Sequence, residues 1–358
     1  MLFQFMRKGV RPTPHELRRN IQERQAKASA HLTANMNTSE ILGSFPKLSA
    51  LVVGDICLDR WCTYDPALSE ASRETGIPRI GVVSVEVTPG AGGTVANNLA
   101  ALGVGRVAVL GAIGNDGFGF ELKQALRGRG MEPEMLVESS RLQTFTYTKV
   151  INSDTGVEDF PRLDFVSVKP LAAEVEAELL RRLNLYAPGF DVILVSDQAE
   201  TDQGGVVTKG LRDALAVLAR ENPRKVIWVD SRIRPELFRG VIVKPNEIEA
   251  RSAVARLGAQ NYRGLFQTIQ GPLMLVTHGG EGVLVMDEAR DFWVKTPPIH
   301  NPVDICGAGD SFSAGAACAF AVTRVAEEAA RFGNLVASVT IMKKGTGTAS
   351  PAEVLAKS

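Results

Sequence analysis

A parallel α/β fold is predicted by three features of the sequence: apolar runs of buried-strand type that end in turns, helix-compatible stretches between successive runs, and two alternating segments that interrupt the series. The runs stand at 51–53, 107–110, 192–195, 226–229 and 241–243, with helices expected near 120–129 and through 211–219. Strand followed by helix, repeated along a chain, buries both faces of a sheet and makes its strands parallel. The interruptions, at 61–88 and 142–168, hold the strings Gly81-Val-Val-Ser-Val-Glu-Val87 and Thr144-Phe-Thr-Tyr-Thr-Lys-Val150, the pattern of a sheet with one wet face. They are expected to form one small β lid beside the main sheet.

The 358 residues are 45% hydrophobic, enough for a large core in one big domain or two ordinary ones. Lys and Arg (40) balance Asp and Glu (40), so no global field recruits nucleic acid or an anionic membrane, and small polar ligands are the expected partners. Cys57, Cys62, Cys306 and Cys318 show neither zinc-ligand spacing nor disulfide-scaffold density, which fits a reducing cytoplasm. No apolar run reaches membrane-spanning length, and the start of the chain lacks the apolar block of a signal peptide.

Residues 1–45 differ from the rest. Arg18, Arg19, Arg24 and Lys27 lie in a polar segment with little apolar periodicity after Phe5, read as an extension, helical or disordered, ahead of a domain over 46–358. Leu51-Val-Val-Gly-Asp55 then reads as a buried strand, with Asp59 at its carboxyl end, where ligands of open α/β sheets gather. A plain loop or capping carboxylate is the bland alternative for Asp59. Pro89-Gly-Ala-Gly-Gly-Thr-Val-Ala-Asn-Asn-Leu-Ala-Ala-Leu-Gly103 is a glycine turn feeding a small-residue helix, a common pattern and weak alone. Asn246 and Glu249, in Lys244-Pro-Asn-Glu-Ile-Glu249, have the spacing of an N-cap and its capping-box partner. Leu273-Met-Leu-Val-Thr-His-Gly-Gly-Glu-Gly282 is a strand ending in another glycine turn, with His278 read as a loop residue.

The chemistry is expected in Asn301-Pro-Val-Asp-Ile-Cys-Gly-Ala-Gly-Asp-Ser-Phe-Ser-Ala-Gly315. Gly307, Ala308 and Gly309 let the backbone approach a ligand, and the helix that follows aims free N–H groups and its positive end at the same place. Asp310 falls in the first turn, where it serves either as a capping acid or as a base beside an oxyanion site. Asp304, on the other side of the turn, favours the second role.

Asp304-Ile-Cys-Gly-Ala-Gly-Asp310 resembles the signature of the ribokinase-like carbohydrate kinases, the PfkB family, whose pattern is Asp-Thr-x-Gly-Ala-Gly-Asp; Ile305 stands where Thr is usual. Within that family the likeness is to the heptose-7-phosphate kinases of lipopolysaccharide-core precursor synthesis, carried by Val53-Gly-Asp-Ile-Cys-Leu-Asp-Arg60, Arg162-Leu-Asp-Phe165, Ser196-Asp197 and Lys344-Gly-Thr-Gly-Thr-Ala-Ser-Pro351. The resemblance implies a three-layer αβα core with a parallel-rich central sheet and a small β lid, through which relatives often dimerise. It implies transfer of the γ-phosphoryl group of ATP to a sugar or sugar-phosphate hydroxyl, with Asp310 as base and the amides of Gly307, Ala308 and Gly309 as anion hole. Sugar contacts are implied for Asp59, Gly90, Thr94, Asn98, Arg162 and Asp197. Thr94 replaces the family's Asn and Ala91 its second glycine, so Asn98, one helical turn on, is expected to substitute in part. Nucleotide contacts are implied for Asn246, Thr277, Gly279, Gly282 and Asn334, hydrated Mg2+ near Asn246 and Glu249, and K+ or Na+ at Asp304.

No Gly-x-x-x-x-Gly-Lys-Ser/Thr string and no Gly-x-Gly-x-x-Gly after a strand occurs, which disfavours a Walker-type kinase and a dinucleotide-dependent dehydrogenase. A nucleoside or neutral-hexose kinase of the same fold, or a catalytically weak sugar- or nucleotide-binding homologue, remain the alternatives. Ser196-Asp-Gln-Ala-Glu200 ends in an acid where the heptose-phosphate kinases have a lysine, while Arg232 keeps a basic group nearby. A phosphorylated acceptor is therefore expected to be repelled by Glu200.

Overall fold

In a computed structural model, which describes residues 36–358, the first strands in chain order are β1 (Ser49–Gly54), β2 (Ile56–Tyr64), β3 (Glu70–Ala71), β4 (Pro78–Arg79), β5 (Val82–Ala91), β6 (Arg106–Leu110), β7 (Ala112–Gly114) and β8 (Val137–Ser139). The rest are β9 (Thr146–Asn152), β10 (Leu163–Phe165), β11 (Val192–Asp197), β12 (Val226–Ser231), β13 (Ile242–Val243), β14 (Met274–Thr277), β15 (Val283–Met286) and β16 (Asp291–Val294). The main sheet has the order β16-β15-β14-β13-β12-β11-β1-β6. Its neighbours run parallel from β6 to β14, and β15 and β16 close the edge as an antiparallel hairpin. The strands expected from the βα repeats are all there. The edge hairpin is not signalled, because an apolar string as short as 283–286 carries no period that separates strand from helix.

Alternate residues of a strand face opposite sides, and both sides are buried. Val52, Leu194 and Trp228 join one core with Phe312, Phe332 and Val336 of the helices Ala308–Thr323 and Ala326–Thr340. Leu51, Val53, Ile193 and Val229 join the other with Leu179, Leu211 and Leu265 of the helices Ala173–Tyr186, Lys209–Glu221 and Tyr262–Ile269. The result is helix, sheet and helix in three layers.

Residues 1–35 of the expected extension lie outside the described residues. Its last part belongs to the body: Asn37 caps the helix Thr38–Ser44 in a box with Glu40, and Ile41, Leu42 and Phe45 enter the first core, Phe45 edge-on to Phe332 at 5.5 Å. The boundary expected at 46 thus falls inside folded structure.

Strand β2 leaves β1 with only Asp55 between them and runs out of the main sheet. It pairs with β5 and β9, and β10 completes a second sheet, β10-β9-β2-β5. Both interrupting segments meet there, and the sheet starts at Ile56 rather than 61. Leu58, Cys62, Thr146, Thr148 and Val150 are buried, alternating with half-buried Asp59, Trp61, Tyr147 and Lys149. The buried side lies on the helix Gly117–Arg127, where the Arg60 guanidinium sits 4.8 Å from the Phe118 ring centroid. The stretch at 89–93 is not the loop its glycines suggest: β5 runs to Ala91 and the helix Gly92–Ala101 starts at the next residue. The chain turns on Ala91 itself, at φ 50° and ψ −119°, a conformation suited to glycine. Among the described residues no helix is long and apolar enough to cross a membrane.

Candidate active site

β1 is the switch point of the sheet, with β6 on one side and β11 on the other, and ligands of such sheets bind beyond the carboxyl ends. Asp55 and Asp59 follow β1, Asp197 ends β11, Asp230 and Ser231 end β12, Lys244 to Asn246 follow β13 and Thr277 ends β14. The helix Ala308–Thr323 begins over this edge. Its N-cap is Gly307, left-handed at φ 76°, where a side chain would be strained and would meet Thr346 at 3.3 Å and Thr94 at 3.5 Å. A Cβ at Gly309 would stand 3.3 Å from the Lys244 ammonium, so that buried cation lies against the turn. Asp304 staples the turn from the other side, one oxygen accepting the Cys306 N–H at 2.9 Å and the other the Gly345 N–H at 3.1 Å.

Asp310 is pushed up to about 7, first by burial and then by Asp230, Asp59 and Glu249, with Lys244 pulling the other way. Burial works against the Lys244 ammonium too, yet Asp230 at 2.6 Å, Glu249 and Asp310 raise it overall. Asp59 reaches about 6, lifted by burial and held down by Lys149 and Arg162. A Cβ at Gly90 would lie 2.3 Å from an Asp59 oxygen, so only glycine leaves that carboxylate room.

Of the other residues expected at the sugar, Thr94 reaches the turn but is 2% exposed, its hydroxyl near Pro89 O at 3.5 Å. Arg162 is at the cleft edge, bidentate to Asp164 at 2.7 and 2.6 Å and 4.5 Å from the Tyr147 ring centroid. Two expectations need correction. Asn98 is fully buried and donates to Thr94 O at 2.9 Å, so it turns back on its own helix and does not substitute for the missing Asn. Asp197 is also fully buried, its oxygens taken by Arg234 at 2.7 and 2.9 Å and Ser231 at 2.7 Å, which makes it an internal anchor rather than a sugar contact.

Of the residues expected at the nucleotide, Asn246 caps the helix Glu247–Leu257 and shares a capping box with Glu249, as the spacing predicts. Burial, then Asp230, lifts Glu249 to about 7. Thr277 donates its N–H to Pro245 O at 3.0 Å, which ties the two stretches together, and Gly282, at φ 119°, turns where a Cβ would strike Val294 O at 2.3 Å. Gly279, at φ 55°, opens that turn, and His278 packs in it beside the Trp293 ring, centroids 4.9 Å apart. Asn334 lines a groove of about 440 Å³ with Trp293, Val294, Lys295, Pro297 and Leu335. Its Nδ2 is buried without a hydrogen-bond partner, as are Thr296 Oγ1 and His278 Nε2 elsewhere in the structure. Among the described residues no three His, Cys, Asp or Glu side chains form a metal cluster.

Sequence reasoning passes over Lys244, Asp230, Trp61 and Lys149. For Lys244 a signal existed, a lysine at the carboxyl end of a buried strand, but its meaning depends on Asp230 and Gly309, distant in sequence.

The sequence pattern of the pfkB family carbohydrate kinase matches residues 51–353. Among curated proteins the chain is similar to the bifunctional protein HldE of Trichlorobacter lovleyi, 30% identical over 319 residues (86% of this chain, 62% of that one). It is 31% identical over 339 residues to the HldE of Geotalea uraniireducens (90% and 66%), so it spans a little under two-thirds of the length of these relatives. A ribokinase of Arabidopsis thaliana, complexed with ribose and ATP, superposes with a TM-score of 0.61 at 18% identity, covering 87% of this chain and 98% of that one. The phosphofructokinase-2 of Escherichia coli, in complex with potassium, gives 0.63 at 17% identity, with 86% and 97% covered. At these identities the likeness is one of fold.

Proposed function

This chain belongs to the pfkB family of carbohydrate kinases and has a ribokinase-like fold, and from that premise we propose that it is a phosphotransferase moving the γ-phosphoryl group of ATP to a hydroxyl of a sugar or sugar phosphate. The observation that carries this reading is Asp310, a carboxyl held at about 7 in the first turn of a helix whose N-cap is Gly307, within reach of the charge on Asp59. A base near neutrality is ionised at working pH and still holds the proton it takes. Asp59 and Gly90 hold the acceptor and Asp310 takes the proton of its hydroxyl. The amides of Gly307, Ala308 and Gly309, with Lys244 behind them, are assigned to the charge of the moving phosphoryl group, the Ala308 N–H leaving Ile305 O, to which it donates at 3.2 Å. ATP supplies that group, and Mg2+ neutralises its phosphates. Asn246 and Glu249 are assigned to the hydrated ion, and Thr277, Gly279, Gly282 and Asn334 to the nucleotide. A K+ or Na+ ion is assigned to Asp304, beside the two amides it already accepts.

Acceptor choice is assigned to Glu200 and Arg232. They are 3.6 Å apart, with the Tyr147 hydroxyl 3.4 Å from the same carboxylate, so the repulsion expected from Glu200 is partly cancelled inside the protein. An acceptor phosphate would have to displace Glu200 from its partner, and a neutral sugar is favoured for that reason. Heptose 7-phosphate is the second reading, supported by the likeness to HldE and by Lys149 and Arg162 near Asp59. A cytoplasmic enzyme is proposed, dimeric through the lid, where Val82, Val83 and Val85 stand exposed; sedimentation velocity tests the dimer.

Release of ADP measured over neutral sugars, nucleosides and sugar phosphates, in wild type and Glu200→Gln, tests the reading. Acceptor-dependent release is expected, fastest on a neutral sugar, with Glu200→Gln gaining on sugar phosphates. No acceptor-dependent release would overturn the kinase assignment in favour of a binding homologue. Preference of the wild type for heptose 7-phosphate would establish the second reading.

A further inference from the structure

The inner face of the lid carries two side chains with no role in the mechanism above. β2 and β9 run parallel with Asp59 beside Tyr147 and Trp61 beside Lys149, and these four share the face turned away from the helix Gly117–Arg127. The Lys149 ammonium lies 4.7 Å from the centroid of the Trp61 ring and 3.5 Å from Glu158. The far edge of the indole reaches Gly345: a Cβ there would stand 3.8 Å from its Cζ2 and Cη2. Gly345 is left-handed at φ 71°, a backbone conformation that a side chain would strain although its Cβ would meet the ring only at ordinary contact distance. Gly345 is the residue whose N–H Asp304 accepts, and Asp304 also holds Cys306, next to the N-cap Gly307. The following residue, Thr346, packs on Gly307 itself. Trp61, Gly345, Asp304 and Gly307 thus stand next to one another from the lid strand to the turn.

We propose that Trp61 is a positioning residue that docks the lid on the catalytic turn and holds Lys149 over the space between Asp59 and that turn, where Lys149 meets the phosphoryl group as it passes to the acceptor. The inference rests on the phosphoryl-transfer reading and adds to it a cation that arrives with the lid. The register sets Lys149 beside Trp61 and two residues along β9 from the partner of Asp59, and its charge is the first of those that pull the Asp59 carboxyl down against burial. An ammonium over an indole face is held by the ring quadrupole without losing its charge, so a phosphoryl group has only to draw it from Glu158, 3.5 Å away, to pair with it. Because Asp59 and Trp61 share one strand face, an acceptor seated on Asp59 and a lid seated on Gly345 favour the same position of β2.

Steady-state kinetics of the full chain test this with Lys149→Met, Lys149→Arg, Trp61→Phe, Trp61→Ala and the double variant Trp61→Ala/Lys149→Met, on the best wild-type acceptor. Lys149→Met is expected to lower kcat about 10²-fold with the KM for ATP little changed, and Lys149→Arg to recover most of it. Trp61→Ala is expected to cost about tenfold, with Trp61→Phe close to wild type. The double variant should be no worse than Lys149→Met alone, since Trp61 acts through Lys149. A wild-type kcat in Lys149→Met overturns the proposal, as do losses that multiply in the double variant. If Trp61→Ala does not fold, Lys149→Met alone decides. If the wild type shows no acceptor-dependent turnover, the kinase reading fails separately, and calorimetry with Mg-ADP and aluminium fluoride still tests Lys149: unchanged affinity in Lys149→Met overturns its role, and weaker affinity supports it.

Discussion

Neighbouring strands of the main sheet end in two charge clusters, one buried and one with Glu249 and Asp310 half-buried, that are satisfied in different ways. Beyond β1 and β11, Asp197 is bonded by Arg234 and Ser231, and both oxygens of Asp55 accept backbone N–H groups, from Gln198 at 2.8 Å and Val206 at 2.7 Å. Burial and then Asp197 lift Asp55 to about 7, but its hydrogen bonds are made. Beyond β12 and β13, Asp230, Glu249 and Asp310 surround the single ammonium of Lys244, and the groups acting on Asp310 are burial and four charged side chains, none of them a hydrogen bond. The first cluster fastens the 198–207 loop to the sheet. The second is short of positive charge, and its Asp310 of donors, a cost that a fold retains where a ligand completes the cluster.

The largest effect expected is loss of chemistry without loss of fold on the second side. Asp310→Asn keeps the turn's shape and removes the proton acceptor, so kcat should fall by about 10²- to 10⁴-fold with nucleotide binding intact. Near-normal turnover would erase the distinction between the clusters. The reverse is expected on the first side: Asp197→Ala leaves Arg234 buried without its partner and should cost about 3–5 kcal/mol of stability in denaturant titrations, with kcat per folded molecule little changed. A variant that melts like wild type would show the pair is not the anchor described.

The third test is pH. Folding raises Asp310 from an ordinary 3.8 to about 7, so the folded state favours its protonated form. The associated stability is full below about pH 4 and lost as pH rises through about 7, and Glu249 and Asp55 act in the same direction. The protein without ligands should therefore melt higher at about pH 6 than at about pH 8, while kcat/KM rises about tenfold per pH unit and levels off above about 7, where the base is ionised. A flat kcat/KM profile over that range would count against Asp310 as base. The smallest effect concerns the backbone. Ala91 holds a glycine-like conformation at the edge of the site, so Ala91→Gly should stabilise by about 1 kcal/mol. An unchanged melting temperature would remove strain from the contrast.

Much of this was readable from local pattern. Continuous apolar runs and glycine turns mark β1, β11, β12 and the turn at 304–310, because a strand buried on both faces and a helix start over an anion each need a contiguous signature. What stayed hidden joins residues far apart: Arg234 to Asp197, Lys244 to Asp230, Trp61 to Gly345. Asp197 looked like a sugar contact for that reason, since nothing beside it in sequence announces its arginine. The helix Thr38–Ser44 is a different failure. Asn37-Thr-Ser-Glu40 carries the capping-box signature, and the basic residues ahead of it drew the reading towards an extension.

The helices Ala308–Thr323 and Ala326–Thr340 follow every strand of the sheet in sequence, although they share one face of it with the early helix Gly92–Ala101, which lies on β1 and β6. A chain emerging from the ribosome can bury Leu51, Ile193 and Val229 beneath the helices that come early, while Trp228 waits for Phe312 and Phe45 for Phe332. The helices that arrive last also bring the turn that carries Asp310. Nascent chains halted before it should be sticky chaperone clients with no trace of turnover, and solubility and activity should appear together during synthesis.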